Sequence, residues 1–123
     1  MKILLIDDDE QVLDSLRQML EAQGHEADSV GNADDALPMV KDGGYDFVLV
    51  DFKMPHHDGI WFMKNADIPK STKVLLLTAY VNREVINEMF KLGARGYLIK
   101  PLNGDEIRDH LDFHSSQREH DTE

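Results

Sequence analysis

Carboxylates gather where apolar runs end. Ile3–Ile6 is followed by Asp7, Asp8 and Asp9, and Phe47–Val50 by Asp51. Val74–Leu77 runs into Thr78, and Tyr97–Ile99 into Lys100 and Pro101. Brought close together, such carboxylates repel one another and raise each other's pKa unless a cation joins them. A hard, oxygen-only donor set suits Mg2+ better than a soft metal, with Mn2+ as a substitute. Lys100 would cancel more of the charge. The combination suits a dianionic phosphoryl group: metal and lysine neutralise its oxygens, the Thr78 hydroxyl donates to another, and a carboxylate attacks in line. Each residue alone has a plainer use, because an Asp after a strand caps the next helix, and Asp7–Asp8–Asp9–Glu10 puts negative charge at a helix start.

The elements that must position these residues follow from the pattern between them. Short apolar runs closed by polar residues suit strands buried on both faces of a parallel sheet. Glu26–Val30 is more polar and suits a sheet edge. The intervening spacing is helical. Val12, Leu13, Leu16 and Leu20 precede Gly24, and Ala33, Ala36, Leu37 and Val40 lie between Asn32 and Gly43–Gly44. Ile60–Asn65 lies between Gly59 and Pro69; Val85, Ile86, Met89 and Phe90 precede Gly93; Ile107 and Leu111 follow Asn103 and Asp105. Pro38 falls inside the second helix and predicts a kink or an early break. Five strand–helix repeats predict an α/β fold, a doubly wound five-stranded parallel sheet, with the flavodoxin-like strand order 2-1-3-4-5 as one common solution. In that order the strand-end residues converge on one crevice at the switch point between strands one and three.

The segments ILLIDDDE, VLVDFKMPHHDG, VLLLTAY and GARGYLIKP resemble, in order and spacing, the receiver domain of two-component response regulators, the CheY-like superfamily. The resemblance runs from about Lys2 to Phe113, so residues 1–113 read as a receiver domain and 114–123 as a polar tail or linker stub. It implies that Asp51 is the phosphoacceptor, charged by a sensor histidine kinase or a phosphotransfer protein. It implies Mg2+ ligands in Asp7, Asp8, Asp51 and the backbone carbonyl of Lys53, with Asp8 the more direct of the acidic pair and Asp7 acting largely through water. Thr78 is the implied switch hydroxyl, Lys100 the lysine that pairs with the phosphate, and Tyr97 the aromatic that turns inward. Lys100–Pro101 is an implied cis peptide, and Met54–Pro55 and Asp58–Gly59 match a loop whose Pro and Gly fix a turn. The face made by the fourth helix, fifth strand and fifth helix is the implied output surface. Its partner is not identified, and whether phosphorylation brings a homodimer stays open.

Composition excludes other classes. The 123 residues carry 13 Lys+Arg against 24 Asp+Glu, a net charge of −11, and no cysteine. That balance opposes direct nucleic-acid binding and docking on a membrane surface, and it leaves neither disulfide nor thiolate chemistry. No apolar run approaches the roughly 20 residues of a membrane helix. Only Met1 and Lys2 precede the first run, so a cytoplasmic domain without a signal peptide is expected. The leading reading is a phosphorylation-operated switch, not an enzyme acting on other molecules. A small Mg2+-dependent phosphatase or phosphotransferase using Asp51 as nucleophile stays open, although such enzymes need a cap for which the chain has little room. A flavodoxin-like cofactor binder would need a Ser/Thr/Gly-rich loop where DDDE stands. His56 and His57 read as an exposed loop pair, His110 and His114 as a solvated helix face, and Trp61 as a packing anchor.

Overall fold

The computed structural model describes the backbone of residues 1–121 and side chains through Ser115. Five parallel strands, β1 (Lys2–Ile6), β2 (Glu26–Val30), β3 (Phe47–Asp51), β4 (Lys73–Thr78) and β5 (Gly96–Ile99), form one sheet in the order β2-β1-β3-β4-β5. They alternate with α1 (Glu10–Ala22), α2 (Ala33–Asp42), α3 (Gly59–Asn65), α4 (Arg83–Lys91) and α5 (Gly104–Asp121). The α/β class, the sheet order and the edge position of the polar second strand are as the sequence predicts.

Side chains alternate along a strand, so each apolar run feeds two cores. Leu4, Ile6, Val48, Val50 and Leu76 pack with Ala36, Val40, Phe62 and Met89 of α2, α3 and α4. Ile3, Leu5, Leu49, Leu75 and Leu77 pack with Leu13, Leu16, Leu20, Ile107 and Leu111 of α1 and α5. Full burial of one such side chain contributes about 1.5–3 kcal/mol, and a one-residue slip of any strand would exchange its two faces.

Helix starts are capped by the polar residues that end the strands and loops. Asp9 accepts from the Gln11 and Val12 amides, Asn32 from Asp35, Asp58 from Trp61, and Asn103 from Glu106. Two expectations change. The break expected at Pro38 does not occur, since α2 runs unbroken from Ala33 to Asp42. Burial of Ala33, Ala36 and Val40 against the sheet holds the helix past the missing donor. α5 also continues beyond Phe113 into the stretch read as a tail. His114 is buried and its carbonyl accepts from Lys73 Nζ, so it is packed against the sheet and not solvated. Residues 122 and 123 lie outside the described residues. Among the described residues no helix is long and apolar enough to cross a membrane.

Candidate functional site

The strand register fixes the level of each strand end. Ile6 pairs with Val50, so Asp7 leaves β1 beside Asp51 at the end of β3. Asp51 pairs with Leu77 and Thr78 with Ile99, so Thr78 and Lys100 follow one step further on. Asp7, Asp8, Asp51, Thr78 and Lys100 thereby line one crevice of about 510 Å³ with Lys53.

Burial divides the acids. Asp7 is 0% exposed and Asp51 7%, whereas Asp8 is open to solvent. One oxygen from each of the three lies within 4.8 Å of the others. Lys100 Nζ donates to Asp7 Oδ2 at 2.5 Å and stands 3.4 Å from Asp51 Oδ2. The ammonium is thus held chiefly by Asp7, and Asp51 is the less encumbered carboxylate. The Asp9 amide donates to Asp7 Oδ1 at 3.0 Å and fixes its orientation. Burial, and then the charge of Asp7, push the Asp51 carboxyl up to about 6 against the opposing pull of Lys100 and the Lys53 amide. Burial alone would lower the Lys100 pKa. The Asp7 hydrogen bond and the Asp51 and Asp7 charges outweigh it, so the net direction is upward. The acidic run after β1 therefore serves two purposes: Asp7 and Asp8 face the crevice, while Asp9 spends its carboxylate on capping α1 and Glu10 sits in the first turn.

Thr78 Oγ1 donates its one hydrogen to the Tyr80 carbonyl at 2.6 Å and accepts from the Tyr80 amide at 3.1 Å. The hydroxyl is committed to the β4–α4 loop. Tyr97 is half-buried on the core beneath α4, its ring 6.5 Å from that of Phe90. Tyr80 is 79% exposed and Lys53 is exposed as well, so both side chains stand at the rim of the crevice.

The loop after β3 is held by contacts that sequence spacing does not show. The Gly59 amide donates to the Phe52 carbonyl at 2.8 Å, and a Cβ on Gly59 would meet the Asp51 carbonyl oxygen at 3.1 Å. Gly59, expected to fix a turn, is needed for this close approach of α3 to the strand end. His56 carries a φ of 69°. His57 Nδ1 lies 2.7 Å from Asp34 Oδ1 in α2, and its ring stacks on Trp61 at 3.7 Å and 4°. The loop is clipped to both neighbouring helices, where the sequence suggests an idle histidine pair. His57→Ala removes the ring stacked on Trp61, the only tryptophan, so Trp61 emission is expected to differ between variant and wild type, and equal spectra would count against the stack. With both partners of the His57–Asp34 contact partly exposed, the variant should lose less than about 1 kcal/mol of stability.

Comparison with known proteins places this arrangement in a family. Residues 3–112 match the family model described as the response regulator receiver domain. The chain is a response regulator receiver domain. It is 36% identical over 118 residues to chemotaxis protein CheY-3 of Vibrio cholerae serotype O1, covering 91% of this chain and 89% of that one. It is 35% identical over 109 residues to sporulation initiation phosphotransferase F of Bacillus subtilis (strain 168), covering 88% of each. A CheY-like receiver domain protein from Methanospirillum hungatei JF-1 superposes with a TM-score of 0.89 at 26% identity, over 98% of this chain and 97% of that one. The chain therefore belongs to two-component signalling. Mg2+ binding and phosphorylation are characteristic of this family, and the donor set here fits such an ion. Three carboxylate oxygens within 4.8 Å of one another form a hard, all-oxygen donor set of the kind such an ion takes. Lys100–Pro101 is cis, as the resemblance implies.

Proposed function

We propose that this cytoplasmic receiver domain takes a phosphoryl group onto Asp51 from a sensor histidine kinase or a phosphotransfer protein, and thereby alters the α4–β5–α5 face for an output partner. The observation that carries the reading is the position of Lys100 Nζ, 2.5 Å from Asp7 and 3.4 Å from Asp51, in a crevice with an excess of carboxylates. Asp7, Asp8, Asp51 and the Lys53 carbonyl would hold Mg2+, with Mn2+ as substitute. When bound, the ion supplies positive charge that offsets the carboxylates and the incoming oxygens.

An Asp51 oxygen attacks phosphorus in line; the new P–O bond forms as the P–N bond to the donor histidine breaks, and the imidazole leaves. Lys100 shifts from Asp7 toward a phosphoryl oxygen, a charge-assisted contact. Thr78 can donate to another phosphoryl oxygen only by giving up the Tyr80 carbonyl, which frees the β4–α4 loop and opens space for Tyr97. Thermodynamically the phosphoryl group biases an equilibrium between two arrangements by its differential contacts, and a few kcal/mol suffices. Incubation with acetyl phosphate and Mg2+ tests the reading. The expected product is about 80 Da heavier, with the added mass on Asp51 by tandem mass spectrometry; an adduct on another residue refutes it.

The Thr78 step carries its own expectation. Thr78→Val keeps the shape but has no hydroxyl to donate. It should still form the adduct, yet the Tyr97 resonances should respond to beryllofluoride about tenfold more weakly, since a hydrogen bond to a charged group contributes about 1.5–3 kcal/mol. A wild-type response in the variant would remove Thr78 from the switch.

A further inference from the structure

The turn that follows the acceptor strand is held in a strained shape. The His57 amide donates to the Pro55 carbonyl at 2.8 Å, closing a three-residue turn centred on His56, whose φ is 69°. That sense of the turn is the rare one, and a side chain disfavours the left-handed region. Such a conformation persists where its surroundings over-determine it. Met54, buried, anchors the loop before the turn. The Asp58 carboxylate, accepting from the Trp61 amide at 2.9 Å, anchors it afterwards. Between them the His57 side chain ties the turn to two helices. Its Nδ1 donates to Asp34 Oδ1, 2.7 Å away in the first turn of α2, and its ring lies flat on Trp61 of α3 at 3.7 Å. Imidazole suits both tasks, because its face stacks while its edge donates. The pair is partly exposed, at 38% and 59%, where such a contact adds little to stability. Its place in the chain is more telling. Lys53, two residues before Pro55, lines the acceptor crevice, and its amide bonds the Asp51 carboxylate.

We propose that His57 and Asp34 form a latch that holds the turn and, through it, Lys53, so that the Lys53 amide meets Asp51 and the Lys53 carbonyl is presented to Mg2+. His57 is thereby a positioning residue that acts through Lys53 and does not touch the reacting atoms. The part that concerns the ion rests on the reading of the Lys53 carbonyl as a Mg2+ ligand; the part that concerns the amide does not.

Two measurements test the latch: hydrogen exchange of the Lys53 amide in the metal-free protein, and Mg2+ titration followed by amide NMR. His57→Ala and Asp34→Ala should each speed the exchange and weaken Mg2+ binding by about threefold to fivefold, the loss of one partly exposed contact. Asp34→Asn keeps the accepting oxygen without the charge and should stay within about twofold of the wild type in both. The double Ala variant should behave like His57→Ala, because the two residues act as one unit. His56→Gly in the His57→Ala background should restore both values to within about twofold, since glycine takes a positive φ without the clash that the latch opposes. A packing role for His57 alone would not be relieved by a glycine beside it. Wild-type exchange in His57→Ala, additive losses in the double Ala variant, or no rescue by His56→Gly would each overturn the latch. Faster exchange in His57→Ala with unchanged Mg2+ affinity, or with a wild type that binds no Mg2+, supports the latch and refutes the Lys53 carbonyl as a ligand.

Discussion

An Asp51→Asn protein is expected to gain no mass from acetyl phosphate and Mg2+, and to be more stable than the wild type when both are metal-free at pH 8. The first result follows from loss of the attacking oxygen. The second follows from the charge cluster. The Asp51 carboxyl is pushed from 3.8 up to about 6, first by burial and then by the charge of Asp7. Between those values the folded chain holds a proton that the unfolded chain has released. Above about 6 both forms are ionised, and the folded state bears the whole cost of the buried charge. Each pKa unit corresponds to about 1.4 kcal/mol, so the substitution should stabilise the metal-free protein by about 1–3 kcal/mol at pH 8. The difference should shrink as pH falls through 6 toward 4, because protonation then relieves the wild type. Saturating Mg2+ should reverse the order, raising the wild-type melting temperature more than that of the variant. Equal stabilities at pH 8 without metal would mean that the carboxylates do not repel as their burial and spacing require.

Lys100→Met is expected to cost about 3–5 kcal/mol in the metal-free protein, the usual cost of stripping one partner from a buried ion pair. Against a typical total of about 5–15 kcal/mol this is close to unfolding. Asp7, 0% exposed, would lose its 2.5 Å partner, and Asp51 its nearest recorded cation. Methionine fills similar space, so the loss reports charge more than packing. Two rescues follow. Mg2+ should recover much of the stability, because it restores positive charge to the same crevice. Asp7→Asn combined with Lys100→Met should recover more than half, since the buried anion is then gone. Urea unfolding of the four proteins in the cycle isolates the pair. A Lys100→Met protein as stable as the wild type would mean that Lys100 does not balance the acids.

Much of the fold and most of the crevice were legible because they depend on short-range pattern. Ile3–Ile6 followed by Asp7 states both a buried strand and its polar end, and parallel register then carries Asp7 to Asp51 with no further information. Contacts that bridge distant segments carried no such signal. Asp34 and His57 are 23 residues apart, and either side chain alone looks like ordinary surface. At Pro38 no early break follows, because local propensity yields to the burial of Ala33, Ala36 and Val40. His114 misled because its neighbours are polar; its ring lies against Gly96 of β5, and its carbonyl accepts from Lys73, 41 residues earlier. The Thr78 hydroxyl was identifiable as a donor, but its present commitment to Tyr80 is a property of loop geometry.

The central strands send Leu4 and Leu5, or Leu75 and Leu76, to opposite sides of the sheet, into separate clusters. Stability losses on the two sides should therefore be additive. Leu20→Ala and Phe62→Ala, for instance, should sum to within about 0.5 kcal/mol. α5 packs in one cluster, whereas α4 shares the other with α2 and α3 beneath the acceptor loop, so the α5 side can be repacked independently of that loop and the α4 side cannot. Changes confined to the α5 side then need not disturb the acids at the rim.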